Sequence, residues 1–313
     1  MPSRIAIIGA GLAGLAAASN LKSAGCDVTL FEKSRGLGGR MATRRAGALQ
    51  FDHGAQYFTA KGAGFQAAVA KWQTSEDAAP WFERAFVGTP GMASPARALA
   101  KGLAVISECQ VAALHRTATG WWIHDLSGHL DVPGNGSFST VVLAVPAPQA
   151  VPLVTSAGLE FPELAQVRYA PCWALMLAFD APIELAADRM KLENGPIGWV
   201  SRNGSKPGRP EMPDCIVVHA SADWSRRHLE ETPATVGRTL LAEFRTLTGV
   251  QSSPTFMTAH RWRYALVEEA AGTPFLWNST ARIGACGDWC LGPRVEAAFD
   301  SGQAIAGAVL TPS

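Results

Sequence analysis

The pattern of apolar and polar residues at the start of the chain predicts a strand, a turn, a helix and a second strand. Residues 5–8 form a short apolar run typical of a buried strand, and residues 28–31 form another. Between them, small apolar residues at 12–24 predict a helix. The acidic residue Glu32 directly follows the second strand.

Three glycines occupy the turn before the helix with the spacing Gly-x-Gly-x-x-Gly. Gly9 permits a tight turn, Gly11 lets the backbone approach a pyrophosphate, and Gly14 lets helix and strand pack closely. The helix N-terminus attracts phosphates, and Glu32 is placed to bind ribose hydroxyls. Glycines that only pack a helix are the alternative, but the strand–turn–helix–strand–acid context favours nucleotide binding. The predicted nucleotide-binding residues of this unit are Gly9, Gly11, Leu12, Ala13, Gly14 and Glu32.

A second glycine-rich loop follows at residues 33–43, with Arg35 and Arg40 at either end of its glycines. A flexible loop that brings N–H groups and guanidinium groups to one anion suits a second contact with a diphosphate. A solvated basic turn is the alternative, and the position directly behind a nucleotide-binding turn argues against it. The predicted binding residues of this loop are Lys33, Arg35, Gly39, Arg40 and Met41.

The middle of the chain alternates between predicted helices and strands. The apolar spacing predicts helices over residues 65–103 and 223–244 and a loop over 198–207. Strands are predicted at 104–111, 121–126, 139–145, 173–179 and 215–220. Beyond residue 148, short strands between polar loops indicate a sheet with one exposed or ligand-facing side, covered elsewhere by helices.

The segment 260–265 combines aromatic and basic residues in strand alternation. His260, Trp262 and Tyr264 would face one side, and Arg261 and Arg263 the other. The rings could stack on a flat heterocycle, and either arginine could pair with a substrate phosphate. A half-exposed basic strand with a core aromatic stripe fits these residues equally well.

A second apolar strand near residue 281 ends in Gly287 and Asp288, and a helix is predicted from 294 to 309. This repeats the arrangement of Glu32 after the first unit.

Composition narrows the function classes further. The chain has 313 residues, of which 48% are hydrophobic and 17% charged, so it can bury a large core. Twenty-seven basic and 26 acidic residues nearly cancel, which disfavours nucleic-acid and anionic-membrane partners. We find no apolar run of the roughly 18 residues that span a membrane and no leader-type cleavage pattern. The six cysteines match neither a zinc nor a redox motif, so we expect no metal and a reduced, cytoplasmic protein.

These motifs together resemble the flavoprotein amine-oxidase superfamily. The resemblance rests on the Gly-x-Gly-x-x-Gly turn, Glu32, the Arg-x-x-Gly-Gly-Arg segment at 35–40 and Gly287-Asp288, and it covers nearly the whole chain. The segment 54–58, Gly-Ala-Gln-Tyr-Phe, resembles the renalase branch. It implies an α/β two-domain flavoprotein: a Rossmann-like FAD domain with a three-stranded β insertion, plus an α+β substrate domain with a mixed or antiparallel sheet. The FAD domain would comprise residues 1–64, 92–150 and 276–313, and the substrate domain 65–91 and 151–275.

The resemblance also implies roles for individual residues. Gln56 and Tyr57 would contact the flavin ring or the substrate, and the backbone of Val111 would hold the adenine. Asp288 would bind ribityl hydroxyls or lie near the pyrophosphate. The remaining implied cofactor contacts are Gly287, Val295 and Glu296. The implied catalytic residues are Gln56, Tyr57, Asn203, His260 and Trp262, of which Asn203 belongs to a Trp–x–x–Arg–Asn–x–Ser–Lys–Pro stretch shared with bacterial renalase-like proteins.

The implied activity is oxidation of mis-reduced NAD(P)H isomers that carry the hydride at the 2- or 6-position. Hydride transfer to flavin N5 would give NAD(P)+, and reoxidation by O2 would give hydrogen peroxide. In the monoamine-oxidase relatives, a cysteine tens of residues before Gly-Asp carries covalent flavin. Here no cysteine lies between Cys215 and Cys286, so the resemblance implies non-covalent FAD. The partners would be a nicotinamide dinucleotide and O2, and the chain a monomer or weak homodimer. A flavin amine oxidase and a non-catalytic FAD-binding redox sensor remain the alternatives.

Overall fold

The computed structural model describes residues 3–126, 128–129 and 137–311. In chain order the strands are β1 (Arg4–Ile8), β2 (Asp27–Phe31), β3 (Thr43–Ala46), β4 (Leu49–Asp52), β5 (Ala78–Phe82), β6 (Ala85–Gly88), β7 (Ala104–Ile106), β8 (Val111–Thr117), β9 (Gly120–Asp125), β10 (Gly128–His129), β11 (Thr140–Leu143), β12 (Arg168–Phe179), β13 (Arg189–Lys191), β14 (Ile197–Arg202), β15 (Asp214–Ala220), β16 (Phe256–Glu269), β17 (Leu276–Asn278) and β18 (Ile283–Ala285). The helices are α1 (Leu12–Ser23), α2 (Ala63–Thr74), α3 (Ser94–Ala100), α4 (Ala147–Ser156), α5 (Ala222–Arg227), α6 (Pro233–Thr248) and α7 (Val295–Leu310).

A six-stranded sheet in the order β17-β18-β11-β1-β2-β7 forms the first layer. Its strands run parallel except β17, which pairs antiparallel with β18. Residues 5–8 of β1 and 141–143 of β11 are apolar and buried because helices cover the sheet, as is usual for parallel sheets. The carboxyl ends of β1, β2 and β18 therefore lie at one edge, where ligands bind in open α/β sheets.

A five-stranded antiparallel sheet in the order β13-β14-β15-β12-β16 forms the second layer. One face carries alternate residues such as Trp173, Leu175 and Leu177 of β12, which pack under α5 and α6. The opposite face contacts β4, where Phe51 packs against Met176 and Val217. This second face is thus turned toward the segment that follows the glycine-rich loops.

The predicted parallel sheet, three-stranded insertion and antiparallel sheet are confirmed. The insertion is the antiparallel sheet β10-β9-β8, which leads into the parallel strand β11. Trp121 in β9 is buried, and its indole donates to the carbonyl of Ala281, 2.9 Å away. Within the described residues, no helix is long and apolar enough to cross a membrane.

Two predictions in the first half of the chain were wrong. Residues 65–103 are not helical throughout, because 78–88 form the hairpin β5–β6, which is held by pairing between Phe58 and Phe86. Residues 104–111 are not one strand either. Glu108 adopts a positive φ of 57°, which breaks the run, so β7 joins the parallel sheet and β8 joins the insertion.

Two predictions in the second half were also wrong. The predicted loop 198–207 begins as strand β14, whose backbone pairs with β15, and turns only at residues 203–205. The predicted helix 223–244 is two helices. Thr232 caps the second by accepting a hydrogen bond from the N–H of Thr235, and Pro233 fixes its first turn.

Close packing between α1 and α7 yields a test of this arrangement. A Cβ on Gly302 would lie 2.2 Å from the carbonyl oxygen of Ala13, whereas a Cβ on Gly307 in the same helix would meet no atom within 4 Å. Gly302→Ala should therefore lower the free energy of unfolding by about 1–3 kcal/mol because the helices must separate. Gly307→Ala is the control and should raise it by about 0.5–1 kcal/mol. Denaturant midpoints measure both, and equal effects would contradict this packing.

Candidate functional site

In the glycine-rich turn after β1, two glycines are closely packed and the third, Gly11, has open space beside it. A Cβ on Gly9 would lie 2.6 Å from the carbonyl oxygen of Ala144, and one on Gly14 would lie 2.1 Å from that of Gly9. These two glycines are required for packing, and Gly9 also has a positive φ of 103°. A Cβ on Gly11, in contrast, would meet no described atom within 4 Å. Gly11 thus leaves open space at the N-terminus of α1, where Leu12 and Ala13 begin the helix.

Glu32 is fixed by two backbone donors. Its carboxylate accepts hydrogen bonds from the N–H of Ala10 and from the N–H of Ser34, each 2.8 Å away. The backbone N–H of Cys109 donates to the carbonyl of Glu32 at 2.9 Å, which brings the start of β8 at Val111 toward the same strand end. A carboxylate oriented in this way can accept hydroxyl donors at the carboxyl end of β2.

The second glycine loop folds onto the first. The N–H of Gly38 donates to the carbonyl of Ala10 at 2.9 Å, and a Cβ on Gly39 would lie 3.4 Å from Gly11 Cα. Met41 is buried in the core beneath the loop. Two cationic residues lie on its exposed surface: Arg35, and Lys33, whose ammonium donates to Gln149. The structure thus brings both predicted loops to one place.

An ion pair links residues that are 248 positions apart. Arg40 donates to both carboxylate oxygens of Asp288, at 2.8 and 2.6 Å, in bidentate geometry. Burial opposes the charge of Arg40, but the attraction of Asp288 prevails and raises the pKa of the guanidinium. The pair joins the second glycine loop to the turn after β18, next to Gly287.

The N-terminus of α7 also lies at this edge of the parallel sheet. Arg294 precedes the helix and makes no side-chain hydrogen bond to its first turn, which begins at Val295. The Glu296 carboxylate does not point at this space; it accepts hydrogen bonds from the N–H groups of Gly62 at 2.5 Å and Lys61 at 3.1 Å. Glu296 therefore holds the loop before α2, while the first-turn N–H groups stay available to a ligand.

These features fit a dinucleotide cofactor. The open space at Gly11 suits a pyrophosphate, Glu32 suits a ribose, and Arg40 with Asp288 offers charged and accepting groups between them. The uncapped N-terminus of α7 suits a ring that gains negative charge on reduction.

The sheet face turned toward this edge carries a row of site residues. The strand registers place Trp199, His219, Ala174 and His260 side by side across four strands, and Cys172 opposite Trp262 in the next row. Small residues at 172 and 174 thus lie between larger rings. The predicted residues His260 and Trp262 lie here, and sequence reasoning missed His219.

His53, which follows β4, packs against the rings of this row. Its imidazole lies 4.9 Å from that of His260 and 5.0 Å from the ring of Trp262, centroid to centroid. Its backbone carbonyl accepts hydrogen bonds from the Trp262 indole at 2.9 Å and from His219 Nε2 at 3.1 Å. Among the described residues, no cluster of three or more His, Cys, Asp or Glu side chains is placed to hold a metal.

All three histidines are held in the neutral form. Burial, helped by His260 and Arg44, lowers the pKa of His53 to about 3. Burial and the charge of Lys206 outweigh a hydrogen bond to His53 and lower the pKa of His219 to about 4. Burial and Arg44 also lower the pKa of His260. Neutral imidazoles can donate and accept hydrogen bonds but bring no charge to a ligand.

A buried polar network lies directly behind this face. Gln56 Oε1 accepts hydrogen bonds from Ser201 at 2.7 Å and from the Lys206 ammonium at 3.0 Å. Lys206 also lies 3.5 Å from Asp52, which pairs with Arg209 at 2.6 Å. All three ionised side chains are fully buried, and burial, only partly offset by Asp52, lowers the pKa of Lys206 to about 8. The structure thus places the predicted residue Gln56 in a fixed network. Lys206 was not among the predicted site residues, although it belongs to the same Trp–x–x–Arg–Asn–x–Ser–Lys–Pro stretch as Asn203.

The other two predicted substrate residues are placed differently. Tyr57 is 36% exposed and packs against Phe82 and Trp199, with ring centroids 5.2 and 5.8 Å apart. Asn203 is buried, and its amide bridges β4: it donates to the carbonyl of Gln50 at 3.0 Å and accepts from the N–H of Asp52 at 3.1 Å. Asn203 therefore positions β4 in this structure, and Tyr57 lies at the rim.

The arginines of β16 lie away from this face. Arg261 and Arg263 both pair with Glu230, at 3.2 and 2.7 Å. The expectation that either could bind a substrate phosphate on the ligand side does not fit this placement. Arg44 on β3 is the arginine on this side that is close enough to lower the pKa of His53 and His260.

Two family models match the sequence. One, described as an NAD(P)-binding Rossmann-like domain, matches residues 7–75, and one described as flavin containing amine oxidoreductase matches residues 66–310, well over half of the chain. The chain belongs to the flavin-containing amine oxidoreductase family. The predicted two-domain α/β flavoprotein fold is thereby confirmed, and so is the coarser assignment as an FAD-dependent oxidoreductase.

Comparison with individual members adds fold similarity and one short sequence match. A 4,4'-diapophytoene desaturase (4,4'-diaponeurosporene-forming) from Staphylococcus aureus (strain Newman) is 49% identical over 51 residues, 16% of this chain and 10% of that protein. The match thus spans only a tenth of the length of this curated relative.

Solved structures resemble the chain over 99% of its length and 99% of theirs. One is a protein from Exiguobacterium sp. 255-15 assigned as a protoporphyrinogen oxidase, with 13% identity and a TM-score of 0.74. A putrescine oxidase triple mutant has 13% identity and a TM-score of 0.72, and cyclohexylamine oxidase from Brevibacterium oxydans IH-35A has 12% and 0.69. At these identities the likeness concerns the fold alone.

The open position at Gly11 makes the cofactor site testable without disturbing the fold. Gly11 has φ −73° and ψ 177°, which alanine adopts freely, so Gly11→Ala should fold normally. Its methyl group would occupy the pyrophosphate space, and we expect flavin affinity to fall by at least about tenfold. The flavin absorbance per chain after dialysis and the melting temperature of the apoprotein measure the two effects.

The matched control is Gly64→Ala, an exposed glycine in α2 whose Cβ would also meet no atom within 4 Å. It should retain full flavin content. Full flavin content in Gly11→Ala as well would contradict the assignment of this space to the cofactor.

Proposed function

We propose that this family member is an FAD-dependent oxidase of mis-reduced NAD(P)H isomers, which carry the hydride at the 2- or 6-position of the nicotinamide. The products would be NAD(P)+ and, with O2 as final acceptor, hydrogen peroxide. The bound flavin would supply the hydride acceptor at N5. One observation supports the proposal most directly. The sheet face that carries Trp199, His219 and His260, called the substrate face below, presents neutral rings that can form hydrogen bonds, and arginines without ion-pair partners among the described residues border it.

The two ends of the residue row carry exposed arginines. Arg189 lies with its guanidinium 4.1 Å from the ring centroid of Phe82, at the Trp199 end. Arg44 lies at the His260 end, where its charge lowers the pKa of both His260 and His53. In the described part of the chain, neither arginine forms an ion pair. Two such cations favour an anionic ligand such as a dinucleotide pyrophosphate.

The carboxylates near the site are already engaged. Asp52 is paired with Lys206 and Arg209, Asp288 with Arg40, and Glu296 with backbone N–H groups. A protonated amine would therefore meet cations at the rim and no free anion. A dihydronicotinamide ring is neutral and needs no base, because its nitrogen lone pair expels the hydride.

Lysine placement also separates the proposal from an amine oxidase. An amine oxidase of this family would use a lysine to hold a water beside the flavin. The Lys206 ammonium is fully buried and committed to Asp52 and Gln56, and Lys191 lies exposed on β13. Neither is free for that task.

The cysteine positions support non-covalent FAD. Cys286 and Cys290 are fully buried, and burial raises the pKa of both thiols, which disfavours the reactive thiolate. We include in the proposal the division into an FAD domain (1–64, 92–150, 276–313) and a substrate domain (65–91, 151–275). We also propose that the protein is cytoplasmic, that it is a monomer or a weak homodimer, and that it binds neither nucleic acid nor a membrane.

Anaerobic photometric titration tests the function. We expect the 2- or 6-dihydro isomer of NADH or NADPH to bleach the flavin within seconds, while 4-dihydro forms and a panel of primary amines leave it oxidised. Bleaching by amines alone would establish the amine oxidase instead. If none of these reduces the flavin, the chain is a flavin-binding sensor without this turnover.

The charge argument has its own control in steady-state turnover with the same substrates in the presence of O2. Arg44→Gln should raise KM for the nucleotide about tenfold, since one phosphate contact is lost, while kcat changes little. Arg45→Gln, the next exposed residue of β3, points to the opposite face and should leave both constants unchanged. Equal effects of the two variants would remove the support that Arg44 gives to the proposal.

A further inference from the structure

His219 is a half-buried histidine of the substrate face whose protonated nitrogen can be deduced from its neighbours. It lies in β15 between Trp199 and Ala174 in the strand register. Its Nε2 is 3.1 Å from the carbonyl oxygen of His53 and 3.3 Å from Gln56 Nε2. The orientation of the Gln56 side-chain amide decides which of these two contacts is a hydrogen bond.

The orientation of the Gln56 amide is fixed on both sides. Its Oε1 faces two donors, Ser201 and the Lys206 ammonium. Its Nε2 faces two acceptors, the carbonyl oxygens of Asp52 at 2.5 Å and Gly54 at 3.1 Å. A flipped amide would bring its NH2 group against an ammonium and its oxygen against two carbonyls. Both amide hydrogens are therefore used on carbonyls, and neither is left for His219.

The tautomer of His219 follows from this. A carbonyl oxygen only accepts, so the contact with His53 requires a hydrogen on His219 Nε2. In the neutral ring the other nitrogen, Nδ1, must then carry the lone pair. Within the described residues Nδ1 has no hydrogen-bond partner, and it is not among the atoms sealed from solvent. It therefore presents a bare acceptor.

We propose that His219 Nδ1 accepts a hydrogen bond from an N–H group of the substrate, and that Lys206 and Gln56 are positioning residues that hold His219 in this tautomer. If the proposed function is right, the donor is the carboxamide NH2 of the nicotinamide ring. The carboxamide is the group that distinguishes this ring from other dihydropyridines. His219 would thus be a specificity-determining residue.

The charges around His219 all act to keep Nδ1 unprotonated. Lys206 contacts Gln56, and the rings near His219 are those of His53, which follows β4, and of His260 on β16, and both are neutral. The one nearby carboxylate, Asp52, is neutralised by Lys206 and Arg209. An acceptor at Nδ1 therefore persists across neutral pH.

The variant Gln56→Glu tests the positioning role in the holoenzyme. The new carboxylate would accept from Ser201 and Lys206, and its second oxygen would replace the amide NH2 beside His219 Nε2, where it is repelled by the carbonyl oxygens of Asp52 and Gly54 and attracted by a protonated imidazole. An opposite charge at this distance favours the imidazolium and raises the pKa of His219 by about 1–3 units. Protonated His219 has a hydrogen on Nδ1 and no longer accepts, so substrate binding should weaken as the pH falls through 6.

Nitrogen NMR of labelled histidines gives a direct readout that is independent of any substrate. Wild-type His219 should show a protonated Nε2 and a bare Nδ1 at all pH values from 5.5 to 8. Lys206→Arg, which keeps a cationic donor, should retain this state, whereas Lys206→Met removes a cation that lowers the pKa of His219, so that pKa should rise. A His219 that titrates near pH 6.5 in the wild type, or that carries its proton on Nδ1, overturns the inference even if the enzyme oxidises dihydronicotinamides.

A substrate pair tests the contact itself. The wild type should favour a carboxamide substrate over its 3-acetyl analogue, which lacks the NH2, by about tenfold in kcat/KM. His219→Gln keeps a donor toward His53 but removes the Nδ1 acceptor, and it should abolish this preference. His219→Asn restores a polar atom near the Nδ1 position and should recover part of it. A preference unchanged in His219→Gln contradicts the contact, while failure of every dihydro substrate contradicts the proposed function alone.

Discussion

The buried carboxylate of Asp52 is the interaction on which the substrate side of the structure depends. It is inaccessible to solvent and accepts from Arg209, Thr43 and the N–H of Met92, with Lys206 3.5 Å away. Burial raises the pKa of a carboxyl, but Lys206 and Arg209 prevail and lower that of Asp52. Its removal would leave the two buried cations Lys206 and Arg209 without a counter-ion, at a cost of about 3–5 kcal/mol. The carboxylate therefore fixes the end of β4 against the 206–209 segment.

The position of β4 sets the chemistry of the substrate face. His53 and Gln56 follow β4 within four residues, so anchoring Asp52 also places the carbonyl and ring of His53 and the amide of Gln56. Burial lowers the pKa of the three neighbouring imidazoles, and the charges of Arg44 and Lys206 add to this effect. The result is a face that offers hydrogen bonds and flat rings without charge, bordered by cations. Such a face suits a neutral ring that is attached to an anion.

The cofactor side could be predicted from the sequence and much of the substrate side could not. The roles of Gly9, Gly11 and Gly14 can be recognised from their spacing, because the end of β1, the turn and the start of α1 are adjacent in the chain. Asp52 and Lys206 are 154 positions apart, and each looks like an ordinary polar residue until the sheet brings them together. Arg261 and Arg263 do lie opposite His260 and Trp262 as predicted, but alternation does not say which face the helices cover, and both arginines pair with Glu230 on the helix-covered face. Residues 198–202 belong to a strand because they pair with β15 on one side and β13 on the other, which are contacts that the local sequence does not show.

The central claim is that this face binds a neutral nicotinamide ring carried by an anionic dinucleotide. The most direct measurement is the second-order rate constant of anaerobic flavin reduction as the ionic strength is raised, for a dinucleotide and for a phosphate-free N-alkyl dihydronicotinamide of the same isomer. Attraction by Arg44 and Arg189 is screened by salt, so the constant for the dinucleotide should fall severalfold while that for the phosphate-free analogue stays level. The same salt response for both compounds, or a rise for the dinucleotide, would contradict the account.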